Sequence, residues 1–463
     1  MFSAITYKNR RQQLLQQFDS GLLLFLGNEY VGKNYAANTY NFRQDSSFLY
    51  YFGLNQAGLI GLTDAEEGKS YLFGNDLTMD DIVWTGNQPS IAELGTKIGV
   101  DKTASLKDLD GLLEKAVRKE IAIHYLPPYR LRNTQKLSNW LNLPMDMIKE
   151  QASIALIQAV VKQRSIKSVE EVEEMEKALT ISRIIHHRMM RHTRAGILEA
   201  ELASIAQGIA MAGEGDLAYA PIVTVNGQTL HNHHHHNILQ EGQMILADVG
   251  AEVKSVYASD ITRTFPVSKT FTNKQKEIYQ IVLDAEERAI EACKASVPYR
   301  DVHFLASKAI AEGLKSVGLM KGSAEEAVAA GAHTLFFMHG LGHMIGLDVH
   351  DMEDLGEDFV GYSDSIARSK DFGTAYLRLG RELEEGFVIT VEPGIYFIPE
   401  LINRWKAEGK HQDFINYDKL EDYLDFGGIR IEDNVLITEE GSRILGKRIA
   451  KSVKEVEELR QGS

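Results

Sequence analysis

The stretch ADVGAEVKSVYASDITRTFP, from Ala247 to Pro266, decides the fold of the chain. Residues typical of strands flank Gly250 and Ser255, and this pattern predicts two strands joined by a turn. In an antiparallel hairpin, Asp248 and Asp260 would lie near each other and face one pocket. Two neighbouring carboxylates repel each other unless a cation lies between them. The pair therefore predicts a cation site, although two solvated carboxylates at the end of a hairpin fit the same pattern.

The composition is that of a globular protein with room for two domains. The chain has 463 residues, of which 44% are hydrophobic and 25% are charged. Its formal charge of −15 argues against nucleic-acid binding, because a phosphate-binding surface needs a basic patch. The single cysteine, Cys293, fits a reducing compartment, and we recognise no signal peptide or membrane span. We therefore expect a cytoplasmic protein with neither nucleic-acid nor membrane partners.

Three segments of the chain differ in their patterns. Residues 1–150 alternate short strands, such as LLLFLG and SYLFG, with helical stretches, which predicts a compact α/β domain. We recognise no catalytic motif in this segment and expect it to shape a cleft or an oligomer contact. Residues 151–167 predict a linker helix, and residues 168–463 contain the candidate site residues.

The segment 168–463 predicts the same order of elements twice. Ser168 with Glu171, and Thr272 with Gln275, form capping boxes, and each box precedes two successive helices. Strand patterns follow each helix pair, first PIVTV and the aspartate hairpin, then FVITVEP and GIRIEDNVLIT. This order predicts a duplicated α/β unit whose halves meet at a shared cleft.

The second half also contains a histidine-rich and glycine-rich stretch, FFMHGLGHMIGLDVHD, with His339, His343 and His350. Glycine lets the backbone turn tightly, which is a common way to point an imidazole into a site. Taken singly, His339 or His350 fits a hydrogen-bonded buried histidine equally well. The three together indicate a site built from a loop rather than from a helix face.

Two further segments carry carboxylates in apolar surroundings. Glu392 ends the apolar strand VITVE directly before a proline, and a glutamate in a buried strand needs a partner. Arg430 and Glu432 are two residues apart in GIRIED and share one face of a strand. A surface salt bridge would give the same spacing, so each signal alone is weak.

In combination these phrases resemble a known family. DITRTFP, MHGLGHMIGLDVHD, TVEPGIY and GIRIED resemble the signatures of the pita-bread metallopeptidases, in particular the proline-specific branch of prolidase and aminopeptidase P. NFRQDSSFLYYFGL resembles the N-terminal domain of that branch, so the resemblance covers most of the chain. It implies an α/β (α+β) protein, with an N-terminal α/β domain and a duplicated C-terminal pita-bread domain around a curved, mostly antiparallel sheet.

The resemblance also implies the ligands of the cation site, namely Asp248, Asp260, His343, Glu392 and Glu432. Four carboxylates and one imidazole form a mostly oxygen donor set, which suits Mn²⁺ and, less selectively, Co²⁺, Fe²⁺ or Zn²⁺. Four carboxylates balance the four positive charges of two divalent cations, which together activate a water. The aspartates stand one residue further apart than is usual in the family, which predicts a bulge or a longer turn.

Roles for the remaining candidates follow from the same resemblance. Glu392 is implied as the proton shuttle, and His350 is our candidate to stabilise the developing oxyanion or hold the substrate carbonyl. His231 follows VNGQTL, which resembles the family's loop with a substrate-binding histidine. Residues His233–His236 predict an exposed loop with incidental metal affinity. Arg430 is expected to orient a metal ligand by a charge-assisted hydrogen bond, with His339 as a second supporting residue.

The implied activity is hydrolysis of the Xaa-Pro bond of a small peptide with proline at its second position, by a homodimer. Arg378 stands where prolidase-like members bind the substrate's carboxylate, although a surface arginine fits equally well. The interval between Glu392 and Glu432 also holds an insertion, FIPELINRWKAEGKHQDFINYDKLEDYLDF, as prolidases do. Both features favour a dipeptidase over an Xaa-Pro aminopeptidase that accepts longer peptides. A metal-free pita-bread binding module is the alternative from another class, but such modules typically lose several of the five ligands.

Overall fold

The computed structural model describes residues 2–462, which divide into two compact units. The first unit extends to Arg164 and also includes Asp354–Phe359, and the second comprises Ser165–Glu353 and Val360 onward. Among the described residues no helix is both long enough and apolar enough to cross a membrane. The helices are α1 Ala4–Leu15, α2 Ser46–Phe52, α3 Met79–Thr85, α4 Ile91–Ile98, α5 Leu106–Arg118, α6 Leu131–Leu141, α7 Met147–Glu150, α8 Ile154–Ser165, α9 Val169–His192, α10 Glu199–Ala212, α11 Asn273–Ala292, α12 Tyr299–Ser316, α13 Ala324–Ala329, α14 Glu357–Gly361, α15 Pro399–Glu408, α16 Tyr417–Leu420 and α17 Val453–Gln461. The strands are β1 Leu22–Leu26, β2 Gly32–Tyr35, β3 Asn38–Thr39, β4 Ile60–Asp64, β5 Lys69–Phe73, β6 Lys102–Ala104, β7 Ile123–Tyr125, β8 Asp216–Leu217, β9 Ile222–Thr224, β10 Met244–Asp248, β11 Ala251–Glu252, β12 Thr262–Pro266, β13 Val388–Val391, β14 Gly394–Tyr396, β15 Gly428–Arg430, β16 Asp433–Thr438 and β17 Gly441–Ile444.

The first unit is built on a mixed five-stranded sheet in the order β6-β5-β4-β1-β7. The interior strand β1, LLLFL, pairs antiparallel with β4 and parallel with β7, and Leu22–Phe25 are buried, as in a sheet covered on both faces. Strands predicted from LLLFLG and SYLFG are confirmed as β1 and β5. The helix predicted within residues 151–167 is α8, and it belongs to the first unit up to Arg164.

The second unit repeats one order of elements, as the sequence predicts. The helix pair α9 and α10 is followed by β8–β12, and the pair α11 and α12 is followed by β13–β17. Both predicted capping boxes are present, at Ser168 with Glu171 and at Thr272 with Gln275. Each half contributes a three-stranded antiparallel sheet, β12-β10-β9 in the first half and β13-β16-β17 in the second.

The aspartate stretch forms the predicted antiparallel pair, β10 with β12, in which Asp248 is aligned with Thr262. The connection is more elaborate than a tight turn, because β11 leaves it to pair with β8 and Val256 adopts a φ of 72°. Gly250 serves a close approach, since a Cβ atom there would lie 1.8 Å from the backbone oxygen of Ser259.

Hydrogen bonds between β12 and the segment from β15 to β16 join the two halves. The Glu432 amide donates to the Thr262 carbonyl at 3.1 Å, and the Thr264 hydroxyl donates to the Arg430 carbonyl at 3.0 Å. The Asn434 side chain accepts from the Asp260 amide at 3.0 Å and donates to its carbonyl at 2.7 Å. These contacts bring a carboxylate from each half to one cavity.

Candidate active site

A cavity of about 550 Å³ lies in the second unit, and the candidate site residues from the sequence line it. Both halves of the unit contribute, through the ends of β10, β13 and β15 and through the loops around them. The predicted residues in its wall are His231, Asp248, Asp260, His339, His343, His350, Arg378, Glu392, Arg430 and Glu432. His233 also lines the cavity.

Tyr219 lies between the two aspartates. Its hydroxyl is 2.6 Å from Asp248 Oδ1 and 2.5 Å from Asp260 Oδ1. A hydroxyl has one proton and can donate to one carboxylate only, so the second contact needs a proton or a cation on the other side. Burial and the neighbouring Asp260 raise the pKa of Asp248, whereas Arg430 opposes this shift. The aspartate pair therefore has the character of a cation site.

His343 is oriented towards the carboxylates by its own backbone. Its Nδ1 atom lies 3.0 Å from the Met344 carbonyl oxygen and donates to it, which leaves the lone pair of Nε2 for a cation. Nε2 lies 3.4 Å from Asp260 Oδ2 and 3.5 Å from Glu392 Oε1. Possible ligand atoms of Asp260, His343 and Glu432 all lie within 4.8 Å of one another. One divalent cation could contact all three.

Glu432 is buried and Glu392 is partly buried, and few groups of the chain offset the charges of these two carboxylates. Glu432 accepts a hydrogen bond of 2.7 Å from the Thr262 hydroxyl, and Glu392 accepts one of 3.3 Å from Thr390. Burial, followed by repulsion from Asp260, Glu392 and Asp248, raises the pKa of Glu432 well above its ordinary value. Burial likewise raises the pKa of Glu392 to about 7.

Arg430 places a guanidinium beside the carboxylates of the cavity. It donates to Asp248 Oδ2 at 2.7 Å, to the Tyr396 hydroxyl at 2.9 Å and to the Thr262 hydroxyl at 3.1 Å. We call Asp248, Asp260, Glu392 and Glu432 the cavity cluster. Its four carboxylates exceed what one arginine and one imidazole can neutralise, and carboxylate oxygens are the ligands that hard divalent cations prefer. The donor set therefore fits divalent cations.

A second buried cluster of charged side chains begins at Asp433, the residue after Glu432. Asp433 lies 2.6 Å from Arg263 Nη2 and 2.7 Å from Lys451 Nζ, and Lys451 also contacts Glu286 at 2.7 Å. We call Arg263, Asp433, Lys451 and Glu286 the balanced cluster, because it contains two cations and two carboxylates. Burial alone would raise the pKa of Asp433, yet Arg263 and Lys451 hold it well below its ordinary value. Arg263 also donates to the Glu432 carbonyl at 2.6 Å and so fixes the backbone of a candidate ligand.

His350 lies beside His343 and contacts an acid at the rim. The two imidazole rings stack with centroids 3.8 Å apart, and His350 Nδ1 lies 2.7 Å from Glu353 Oε2. The other oxygen of Glu353 contacts Arg378 Nη1. The His350 contact, partly opposed by burial, lowers the pKa of Glu353 to about 2, so this residue is a carboxylate at neutral pH.

The histidine tract divides into two parts. His231 and His233 line the cavity with ring centroids 6.5 Å apart. His234 and His236 are exposed, with ring centroids 6.0 Å apart, and His235 contacts the Pro221 carbonyl oxygen at 3.0 Å. His339, the other supporting candidate, lies 2.8 Å from the Tyr396 hydroxyl that Arg430 also contacts.

The insertion between Glu392 and Glu432 supports the apolar wall of the cavity. The Trp405 ring, in α15, packs against Phe372 of the wall with centroids 6.1 Å apart. Ile398 and Leu401 pack against a cluster that includes Met338, another wall residue. The insertion thus contributes to the shape of the cavity.

Sequence patterns did not indicate Tyr219, Glu353 or Tyr396 as site residues. Tyr219 stands in a short connection before β9, and Glu353 is the first residue of a single 3₁₀ turn, Glu353–Leu355, which has no sequence periodicity. Only the position of Glu353, three residues after His350, links it to the motif. These residues reach the site through tertiary packing.

Comparisons with known proteins agree with this geometry. Residues 173–439 match the metallopeptidase family M24, and residues 7–124 match the aminopeptidase P N-terminal domain. A probable Xaa-Pro aminopeptidase of Botryotinia fuckeliana is 35% identical over 422 residues, covering 90% of this chain and 87% of that protein. The Xaa-Pro dipeptidase of Homo sapiens is 32% identical over 432 residues, covering 91% of this chain and 85% of that protein. A variant of Escherichia coli aminopeptidase P in complex with substrate has a similar structure, with a TM-score of 0.82, 27% identity, and coverage of 100% and 99%.

Proposed function

We propose that this chain, which belongs to metallopeptidase family M24, is an Xaa-Pro dipeptidase. It is a hydrolase of the Xaa-Pro peptide bond, the bond named in its relatives, both aminopeptidases and a dipeptidase. It uses divalent metal, since its buried donor set fits such a cation. The dipeptide preference and the roles of single residues form the rest of the proposal.

The metal site of the proposal consists of Asp248, Asp260, His343, Glu392 and Glu432, and it holds two cations, most favourably Mn²⁺. The imbalance of the cavity cluster supports two cations over one, because four carboxylates share one arginine. Such cations, when bound, lower the pKa of water and polarise a carbonyl group. The oxygen-rich donors support Mn²⁺ over softer metals.

The protein's own groups would then bind, orient and protonate the substrate. Glu392, whose pKa is raised by burial, accepts a proton from the attacking water and passes it to the leaving proline nitrogen. His231 and His350 both lie in the cavity wall, where His231 binds the substrate and His350 stabilises the developing oxyanion or holds the substrate carbonyl. Arg430 and His339 orient Asp248 and Tyr396 by their hydrogen bonds.

The observation that carries the dipeptide proposal is the Arg378 guanidinium in the cavity wall. A dipeptide has a free carboxylate next to the proline ring, and a guanidinium binds that group by charge-assisted hydrogen bonds. A longer peptide has an amide at the same point and gains nothing from the charge. The insertion supports the same choice, because its Trp405 packs against Phe372 of the cavity wall.

The alternative is an Xaa-Pro aminopeptidase that accepts longer peptides. It is favoured by the names of several relatives, such as the Botryotinia protein, and of the structural neighbours. The two candidates share the proposed metal site, so the length of the accepted substrate separates them.

The experiment compares manganese-loaded enzyme on Ala-Pro and Ala-Pro-Ala, by release of free alanine. Arg378→Met should raise KM for Ala-Pro about tenfold or more, because a charge-assisted pair is lost, and should leave Ala-Pro-Ala unaffected. The matched control is Arg404→Met on the exposed side of α15, where Arg404 pairs with Glu408 away from the cavity. Efficient cleavage of Ala-Pro-Ala together with an unaltered KM for Ala-Pro in Arg378→Met would establish the aminopeptidase instead.

Two further parts of the proposal concern the state of the protein. We expect a homodimer, supported by apolar side chains exposed on α3, where Met79, Val83 and Trp84 are each more than two-thirds exposed. We expect a cytoplasmic location, supported by the free, buried thiol of Cys293. Light scattering at several concentrations tests the first, and cell fractionation tests the second.

A further inference from the structure

The rim of the cavity holds a carboxylate that the proposed chemistry does not use. Glu353 lies three residues after His350, and its Oε2 atom is 2.7 Å from His350 Nδ1. Its Oε1 atom accepts a hydrogen bond from Arg378 Nη1. One carboxylate of the protein therefore contacts both a histidine and an arginine of the cavity wall.

The loop that carries Glu353 is anchored from inside the second unit. Asp351 forms a buried ion pair of 3.0 Å with Lys167, and its amide donates to the Met344 carbonyl at 2.9 Å. Met352, the residue directly before Glu353, adopts a φ of 64°, an unusual conformation for a side chain of this size. These contacts fix the backbone directly before Glu353.

The pair between Glu353 and Arg378 can be exchanged at low cost. The Glu353 side chain is 40% exposed and the Arg378 side chain is 33% exposed, in contrast to the buried pair of Lys167 with Asp351. Water screens charges at such a rim, so an ion pair there contributes little. Glu353 contacts the guanidinium through Oε1 alone, so another carboxylate, which can offer both of its oxygen atoms, can replace it.

We propose that Glu353 competes with the substrate's carboxylate for Arg378 and thereby sets the preference between dipeptides and longer peptides. A dipeptide must take the guanidinium from Glu353 and bring a second negative charge close to it. A longer peptide has no charge at this point and leaves the pair of Glu353 and Arg378 intact. The inference rests on the proposed function, because it requires that Arg378 bind the dipeptide carboxylate.

The test is Glu353→Gln, which keeps the shape of the side chain and removes its charge. KM and kcat are measured for Ala-Pro and Ala-Pro-Ala with manganese-loaded enzyme. We expect KM for Ala-Pro to fall about threefold to fivefold and KM for Ala-Pro-Ala to stay constant, since a rim ion pair is being removed. Any effect on kcat through His350 should be shared by both substrates. Glu384→Gln is the matched control, because Glu384 forms an exposed pair with Arg381 away from the cavity.

Opposite results would identify a purely structural role. Equal changes of KM for both substrates, or a rise of KM for Ala-Pro alone, would overturn the inference, since Glu353 would then position Arg378 or His350. Glu353→Ala gives a second measurement of the ratio of KM for Ala-Pro to KM for Ala-Pro-Ala, in a variant that introduces no amide group. If Arg378→Met raises KM for Ala-Pro while Glu353→Gln leaves the ratio constant, the inference fails and the dipeptidase proposal stands. If Arg378→Met has no effect on Ala-Pro, the proposed function fails first.

Discussion

Two buried clusters of charged side chains meet at Glu432 and Asp433, and neighbouring residues in the sequence have opposite electrostatic surroundings. In the cavity cluster, burial and three neighbouring carboxylates raise the pKa of Glu432. In the balanced cluster, Arg263 and Lys451 lower the pKa of Asp433 in spite of its burial, whereas burial and the neighbouring Asp433 raise the pKa of Glu286 to about 8. Glu432 and Asp433 are both almost inaccessible to solvent, so burial alone does not account for the difference between them.

The comparison shows what separates a structural ion cluster from a metal site. A buried charge is tolerated when a countercharge contacts it directly, and the balanced cluster carries its countercharges within the chain. The cavity cluster has too few countercharges for its four carboxylates, and in our proposal a divalent cation completes it. Changes in the two clusters should therefore affect different properties of the protein.

The largest effect is expected from removing a candidate ligand. Glu432→Gln should lower kcat/KM about a thousandfold or more, equivalent to about 4 kcal/mol, because a cation loses a charged ligand. The metal-free variant should be at least as stable as the metal-free wild type, since a repelling carboxylate is gone. Activity assays and urea unfolding after chelation measure the two effects. A metal-free variant clearly less stable than the wild type would contradict the assignment.

The balanced cluster should respond in the opposite way. Lys451→Met leaves Glu286 without its cation and should lower the free energy of unfolding by about 3 kcal/mol, as for other broken buried ion pairs. Metal affinity per folded molecule should remain close to that of the wild type. Urea unfolding and metal titration provide the measurements. Lys454→Met is the control, because Lys454 is exposed and lies 3.9 Å from Glu458.

The pH dependence of the metal-free protein sharpens the same contrast. The pKa of Glu392 is about 7 in the folded chain against an ordinary value of 4.5, so the folded state favours the protonated form. Its stabilising effect is complete below pH 4.5 and is lost as the pH rises to about 7. Relative to Glu392→Gln, metal-free wild type should lose about 2 kcal/mol between pH 5 and pH 8, measured by urea unfolding. Adding Mn²⁺ should remove this loss, and a loss that persists with metal would locate the titrating group elsewhere.

The smallest effect is expected at the hydroxyl between the aspartates. Tyr219→Phe removes the contacts to Asp248 and Asp260 and should weaken metal binding about tenfold, as for other residues that orient ligands. Calorimetric titration of the metal-free protein with Mn²⁺ tests this value. Tyr257→Phe is the control, because its hydroxyl donates to Glu171 outside the cavity. An equal loss of affinity in both variants would contradict a local role for Tyr219.

The sequence predicted the parts of the site that depend on local pattern. Asp260, His343 and Glu432 each stand in a short motif at the end of a strand or in a glycine-rich loop, and their ligand atoms come together in the structure. The repeated order of two helices and several strands was visible because capping boxes mark the start of α9 and α11. Roles of the ligands are still a proposal, which the variants above test.

Contacts between distant segments could not be predicted in this way. Tyr219 contacts Asp260, which is 41 residues away in the sequence, and Arg378 contacts Glu353, which is 25 residues away. No sequence periodicity marks Tyr219 or Glu353. Gly250 was expected for its turn, yet its function is to let Ser259 approach. These features are set by packing between segments, which a one-dimensional pattern does not contain.

The alternation of side chains from Arg430 to Asp433 has a consequence for how this chain can change length. Arg430 and Glu432 face the cavity, whereas Asp433 faces the balanced cluster, because successive residues of an extended segment point to opposite sides. Deletion or insertion of one residue here would exchange the two carboxylates and spoil both clusters at once. Substitutions can be compensated one at a time, but a shift by one codon cannot. We therefore expect natural variation in length to fall in the segment between Tyr396 and Gly428, where α15 and α16 lie outside the paired strands.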